Sequence, residues 1–308
     1  MRIAIMGSGG LGGYFGARLA ASGCDVAFIA RGAHLEAIRR NGLSVESRLG
    51  DLRLPQPRVT DNPAELEPPD FVFFCVKLWD SEAAAKQIAP IVGPQTTVIS
   101  FQNGVQKDEL LRREFGQEPL MGGVAYIATA IDRPGIIKHT GTMQRLLFGE
   151  YDGSRSVRGQ ALLDACLKAG IDAELSADIR REIWDKFVFL VGLSATTTTV
   201  RLPIGAIREN PQSRALLLDV MREAAAVGRA QGVNLPPDYA DQRLAFCDGL
   251  PADMTSSMHH DLERGNRLEV AWLSGGVVEL GERTGIPTPA NRAVAGILSP
   301  HAGGRASA

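Results

Sequence analysis

Aromatic residues make up only 6% of the 308 positions, and there are only four cysteines. Cys24, Cys75, Cys166 and Cys247 lie far apart and form no CxxC pair. That spacing argues against a cysteine zinc site and a disulfide framework. It fits a reducing compartment in which all four are small buried apolar residues. No apolar run approaches the roughly 18–20 residues of a membrane span. The longest candidate, "FVFLVGLSA" at residues 187–195, is interrupted by glycine and serine. The opening "MRIAIMGSGGLGG" is too short and too glycine-broken for a signal peptide, so it is expected to be mature structure. A dominant charge is also missing, since 33 basic against 35 acidic residues leave −2. Nothing in that balance argues for nucleic acid or a membrane as partner, and the expected location is the cytoplasm. "GLSAT" lacks the G-x-S-x-G elbow of a serine hydrolase.

Glycine is abundant, with 34 residues, and the question is where it clusters. The length suggests roughly two domains. "RIAIMG" at residues 2–7 is a short buried strand, followed by "LGGYFGARLAASG" with apolar residues at helical spacing. "DVAFIA" (25–30) is a second strand, and "AHLEAIRRNG" an amphipathic helix stopped by Asn41-Gly42. The alternation continues. Strands are expected at 70–77 and in "TTVISFQNG", and helices in "WDSEAAAKQIAPIV" and "QKDELLRREFG". Alternation at this spacing predicts βαβ units and a parallel sheet. Between residues 124 and 149 three extended segments at hairpin spacing predict antiparallel additions.

From about Ser154 the segments become long and helical, with almost no strand signal between them. The reading is therefore an α/β chain: an N-terminal Rossmann domain over 1–175 and an all-helical domain over 176–300. A frayed tail is expected at 301–308, where apolar content runs out.

Gly7, Gly9 and Gly12 form G-x-G-x-x-G in "GSGGLG", directly after the first strand and opening the first helix. That context makes the motif a dinucleotide cradle. The first glycine permits the turn, the second lets backbone approach a pyrophosphate, and the third lets helix pack on strand. Ser8, Gly10 and Leu11 complete the loop. A site that prefers NAD usually has an acid at the end of the second strand. Here that position holds Ala30 and Arg31, and an arginine suits the 2′-phosphate of NADP(H). Lys77 and Asn103 are read as the ends of two further strands, where parallel sheets place their ligands.

Lys186 lies in the strongly apolar "IWDKFVFLV". A lysine there either snorkels to water or serves as a partly desolvated proton donor. Glu269 is read as the start of an apolar helix, as a dipole partner or as a residue that orients substrate.

These residues together resemble the ketopantoate reductase family. The resemblance rests on "GSGGLG", Arg31, Lys77, "FQNG", "REIWDKF", "SSMHHDLERGNRLEV" and "GERTGIPTP", which span nearly the whole chain. It implies a Rossmann domain plus a helical domain and NADPH-dependent reduction of a 2-oxo acid to a 2-hydroxy acid, as from 2-dehydropantoate to pantoate. By resemblance Lys186 is the proton donor and Glu269 orients the reacting groups and contacts the cofactor. Asn103 lies between nicotinamide and substrate, Ala128 lines the cofactor site, and Ser257 contacts the substrate carboxylate. The sequence also departs from the family. Leu190, Ser194 and Ile204 stand where substrate asparagines are expected, with Ser194 keeping a hydroxyl for the substrate. Losing polar grips predicts a shift toward a more apolar 2-oxo acid. A hydroxyacid or polyol-phosphate dehydrogenase and a non-catalytic NADP-binding redox sensor are the competing functions, and a homodimer is left open.

No metal is expected. His259 and His260 are adjacent and should point to different sides of a helix. Thr196–199 should continue the Lys186 helix with hydroxyls bonding backbone, with Thr197 the one that could face a pocket. Gly275 and Gly276 are read as close helix packing.

Overall fold

A computed structural model describes residues 1–305. It divides into two compact units. The first holds Met1–Asn103 with Lys107–Glu182. The second holds Gly104–Gln106 and the chain from Ile183 onward.

The first unit is built on β1 (Arg2–Met6), β2 (Asp25–Ile29), β3 (Leu43–Ser47), β4 (Leu52–Leu54), β5 (Arg58–Thr60), β6 (Phe71–Phe74), β7 (Thr97–Ser100), β8 (Leu120–Arg133), β9 (Ile136–Gly149) and β10 (Asp172–Leu175). They form one ten-stranded sheet in the order β4-β3-β9-β8-β7-β6-β1-β2-β5, with β10 on β9. The run β5-β2-β1-β6-β7-β8 is parallel throughout. The direction reverses at β9, which pairs antiparallel with β8. The sheet is thus mixed and mostly parallel, as expected.

Helices cover both faces because the central strands are apolar on both sides, the mark of a buried parallel sheet. Ile3, Ile5, Phe71 and Phe73 join one core with Tyr14, Phe15 and Leu19 of α1 (Gly10–Ala21), Ile38 of α2 (Gly32–Asn41) and Leu162 and Cys166 of α5 (Val157–Lys168). Ala4, Met6, Val72 and Phe74 alternate to the other face. There they meet Ala84, Ala85 and Ile88 of α3 (Ser81–Ile88) and Leu111 of α4 (Lys107–Phe115). Each fully buried phenylalanine or leucine contributes roughly 1.5–3 kcal/mol of transfer free energy.

Several expected elements are redrawn. The segments at 124–149 are two long strands joined at Pro134-Gly135, where Gly135 takes φ 83°. The strand expected over 70–77 ends at Phe74. The chain then turns, with Asp80 N–H bonding the Lys77 carbonyl. Lys77 therefore begins a short 3-10 turn rather than ending a strand. The next strand likewise ends at Ser100, whose hydroxyl accepts from Gln102 N–H and draws the backbone away, so Asn103 lies in the following bend. Strands β3, β4, β5 and β10 were not legible in the sequence. They are short and only partly apolar, and β10 is recruited by pairing with β9 rather than by its own pattern.

The helical unit contains α6 (Ile179–Val200), α7 (Ile204–Glu209), α8 (Pro211–Ala230), α9 (Tyr239–Asp248), α10 (Ser257–Arg264), α11 (Ser274–Thr284) and α12 (Pro289–Leu298). Its core joins Phe187, Val188 and Val191 of α6 to Leu217, Val220 and Met221 of α8, Val277 of α11 and Val294 of α12. Local chemistry sets the ends. Asn210 caps α8 by accepting from Gln212 and Ser213 N–H, and Gly265 closes α10 in the left-handed conformation at φ 72°. The division between units falls inside α6. The first turn of that helix packs with the sheet unit, Ile179 being fully buried beside Gly149.

The tail expected to fray from 301 is instead held through Arg305. Leu268 N–H bonds the Ala302 carbonyl at 3.0 Å, and Arg305 N–H bonds Gly265 at 2.8 Å. Residues 306–308 lie outside the described residues. Two of the four cysteines, Cys24 and Cys75, are half-buried rather than buried, while Cys166 and Cys247 are buried. Among the described residues no helix is long and apolar enough to cross a membrane.

Candidate active site

In the first unit the strand order departs in both directions from β1, toward β2 and toward β6. That switch point is where open α/β sheets take their ligands. The glycine loop sits there. Gly7 turns at φ 93°, and a Cβ on it would lie 2.7 Å from the Val76 nitrogen. A Cβ on Gly12 would lie 2.3 Å from the Gly7 carbonyl oxygen, and one on Gly10 2.7 Å from the Thr129 carbonyl oxygen. Gly9 is the exception, with nothing within 4 Å of its would-be Cβ. The loop is closed everywhere except at the position where backbone would approach a phosphate. Leu11, half-buried, follows in the first turn of α1. That helix starts without a side-chain cap and without an acid in its first turn, which leaves its terminal N–H groups suited to an anion. The arrangement fits a dinucleotide.

Ser8 gives its hydroxyl to the sheet, donating to the Ile29 carbonyl at 3.0 Å. The loop has a further support that sequence reasoning missed. His34 Nδ1 accepts from Gly135 N–H at 3.1 Å, so the proton is on Nε2, which donates to the Ser8 carbonyl at 2.9 Å. Burial pushes the His34 pKa down, which favours this neutral form. Nothing in "AHLEA" marks the role, because it depends on a residue 101 positions away.

Arg31 stands just past β2, its side chain 81% exposed and one guanidinium nitrogen 2.7 Å from Asp80. The strand end has no acid of its own, and this carboxylate reaches it from the loop after β6. Gln102 ties the two neighbouring loops together. Its Nε2 donates to the Val76 carbonyl and to Ser81 Oγ, both at 2.8 Å. Lys77 and Asn103 are thereby carried on loops pinned to each other beyond β6 and β7. Ala128, exposed, lies where the β8–β9 register shifts between Ile127 and Thr129, next to the carbonyl that crowds Gly10.

A buried lysine was also missed. Lys107 Nζ donates to the Ser100 carbonyl at 2.6 Å and the Gly123 carbonyl at 3.0 Å, with Asp108 at 3.4 Å. Burial pushes its pKa down, offset in part by Asp108. With its donors taken by backbone, it ties β7 to β8 and is structural.

In the helical unit Lys186, Leu190 and Ser194 recur every four residues on α6. Lys186 and Leu190 are half-buried and Ser194 is buried. Ile204 is fully buried within the helical core at the start of α7. Glu269 is buried at 5% exposure, but it does not start a helix. Its carbonyl accepts from Trp272 and Leu273 N–H, and Leu273 (φ −90°, ψ −100°) then breaks the turn before α11 begins. Gly276 is a close approach, since a Cβ there would lie 2.6 Å from the Gln106 amide. Ser257 is exposed in the first turn of α10.

The threonine run continues α6, with Thr196, Thr197 and Thr199 hydroxyls donating to carbonyls four residues back. Thr197 is fully buried, and its Oγ1 lies 3.1 Å from Ser256 Oγ. The adjacent histidines differ in surroundings, His259 buried and His260 exposed, yet His259 Nε2 and His260 Nδ1 both approach Glu263, at 3.3 and 3.4 Å. Glu263 lies four residues after one and three after the other, and both spacings fall on one helix face. A cavity of about 360 Å³ beside them is lined by Arg201, His259, Glu263, His301 and Arg305, among others, and by none of the expected site residues.

Comparison with known proteins agrees with this architecture. The family described as "Ketopantoate reductase PanE/ApbA" matches residues 3–153, and "Ketopantoate reductase PanE/ApbA C terminal" matches residues 178–302. A 2-dehydropantoate 2-reductase of Mesorhizobium japonicum is 34% identical over 97% of each chain. The crystal structure of 2-dehydropantoate 2-reductase from Geobacter metallireducens superposes with a TM-score of 0.89 at 33% identity, covering 97% of this chain and 99% of that one. A D-mandelate dehydrogenase solved with NADH and anilino(oxo)acetate shares the fold, with a TM-score of 0.88 at 20% identity over 98% of each chain. The chain belongs to the ketopantoate reductase family and is an oxidoreductase acting on CH–OH groups.

Proposed function

We propose that the chain reduces a 2-oxo acid with NADPH and that Lys186 protonates the new hydroxyl. The observation that carries the cofactor half is the glycine loop, sealed at Gly7, Gly10 and Gly12 and open at Gly9. The backbone of Gly9 to Gly12, Leu11 included, and the start of α1 would hold the pyrophosphate. Arg31, with no acid at the end of β2, would hold a 2′-phosphate in a planar, charge-assisted fork. Lys77, Asn103, Ala128 and Glu269 would line the rest of the cofactor site. Bound there, the nicotinamide supplies a hydride to the keto carbon.

The chain's own residues do the remainder. Asn103 and Glu269 orient the reacting groups, and Ser194 and Ser257 hold the substrate, Ser257 by its carboxylate. Lys186 delivers a proton from Nζ to the carbonyl oxygen as it becomes a hydroxyl. Its half-buried place in an apolar stretch of α6 supports that role.

Leu190, one turn from Lys186, supports a substrate with an apolar group rather than a second hydroxyl. The test is a panel of 2-oxo acids followed by loss of reduced nicotinamide, with NADPH and NADH in parallel. Turnover with NADPH, highest for acids with apolar side chains, is expected. A clear preference for ketopantoate would remove the apolar-substrate reading. NADPH binding without turnover on any acid would remove the reductase.

A further inference from the structure

Three buried residues join α6 to α10, and the proposed chemistry gives none of them a role. Thr197 lies eleven residues after Lys186, about three helical turns, on the α6 face that carries Lys186 and Leu190. Its hydroxyl donates to the Leu193 carbonyl at 2.6 Å, which uses its only proton. The Ser256 hydroxyl, 3.1 Å away, must therefore donate to Thr197 Oγ1. Ser256 is also the N-cap of α10, its Oγ accepting from His259 N–H at 3.1 Å. His259 closes the ring by donating from Nδ1 to the Thr197 carbonyl at 2.7 Å. All three residues are buried, at 0%, 4% and 5% exposure, so water does not compete for these bonds.

We propose that Thr197, Ser256 and His259 are positioning residues for the reaction. They fix the first turn of α10, and with it Ser257, in register with the α6 face bearing Lys186. The ring spans two helices whose connecting chain is 56 residues long (Val200 to Ser257), so local structure alone does not set that register. The proposal rests on the reading that Ser257 holds the substrate carboxylate.

The experiment compares Ser257→Ala, Thr197→Val, Thr197→Ser, Ser256→Gly and the double variant Thr197→Val/Ser257→Ala. KM and kcat are measured for the best 2-oxo acid, and NADPH affinity separately by fluorescence. Ser256→Gly keeps an acceptable N-cap while losing the hydroxyl, which guards against a variant that simply unfolds. Ser257→Ala, Thr197→Val and Ser256→Gly should each raise KM for the 2-oxo acid by about five- to tenfold. NADPH affinity should stay within twofold, Thr197→Ser should restore KM, and the double variant should be no worse than Ser257→Ala. A raised KM in Ser257→Ala with an unchanged KM in Thr197→Val and Ser256→Gly overturns the positioning role alone. Multiplied effects in the double variant also overturn it. An unchanged KM in Ser257→Ala overturns the carboxylate reading and takes the proposal with it.

Discussion

Gly9 and Gly12 differ by three positions and by what surrounds them. A methyl group on Gly12 would meet backbone at 2.3 Å, which cannot yield without moving α1 off β1. A methyl group on Gly9 would have no described residue within 4 Å. Gly12→Ala should therefore lose both thermal stability and cofactor binding. Gly9→Ala should melt within a few degrees of the parent and lose at least tenfold in dinucleotide affinity. Calorimetry and fluorescence titration check the pair, and equal affinity in Gly9→Ala would remove the loop from cofactor binding. At Lys186 the expectation is kinetic. Lys186→Ala should lower kcat by about two to four orders of magnitude with NADPH affinity retained, and unchanged turnover would take Lys186 out of the chemistry. The sequence singled out these residues because glycine spacing and a charge in an apolar run are local signals. It was silent on His34, Gln102 and Lys107, whose partners are carbonyls and hydroxyls on other elements.

Between elements, the ion pair of Glu150 and Arg158 ties the end of β9 to α5. Two bonds of 2.7 Å join them, and Arg158 also donates to the Glu118 carbonyl at 2.8 Å. Burial pushes the Glu150 carboxyl up, but the bonds from Arg158 and Ser156 outweigh it and hold it below its ordinary value. A carboxyl depressed by folding stabilises fully above its unfolded value of about 4.3, and the contribution is lost as pH falls through the folded value. Glu150→Gln should thus cost roughly 1–2 kcal/mol at neutral pH. That difference should vanish once the pH falls below the folded value. Denaturant titrations at several pH values check it, and a difference that persists in acid would mean the loss is one of packing. At this scale the long helices and central strands were legible because their periodicity is strong. The extent of the strands before Lys77 and Asn103 was not, because a side-chain bond and a 3-10 turn ended them early.

For the whole molecule, cofactor binding to the folded chain alone should raise stability by about 2.7 kcal/mol at a hundredfold excess over Kd. That corresponds to a Tm rise of several degrees. NADPH should raise Tm more than NADH at equal concentration, and Arg31→Ala should abolish the difference. An unchanged preference in Arg31→Ala would point away from Arg31 and toward the loop that carries Asp80.

The sequence by itself determined the α/β start, the glycine cradle, the helical second half and the family, because each rests on local spacing or on motifs in a fixed order along the chain. Only the tertiary structure decided that β10 joins the sheet, that residues 301–305 are held, and that Thr197 turns toward Ser256. Those outcomes depend on which distant backbone groups need partners once the chain is compact, and no local pattern records that.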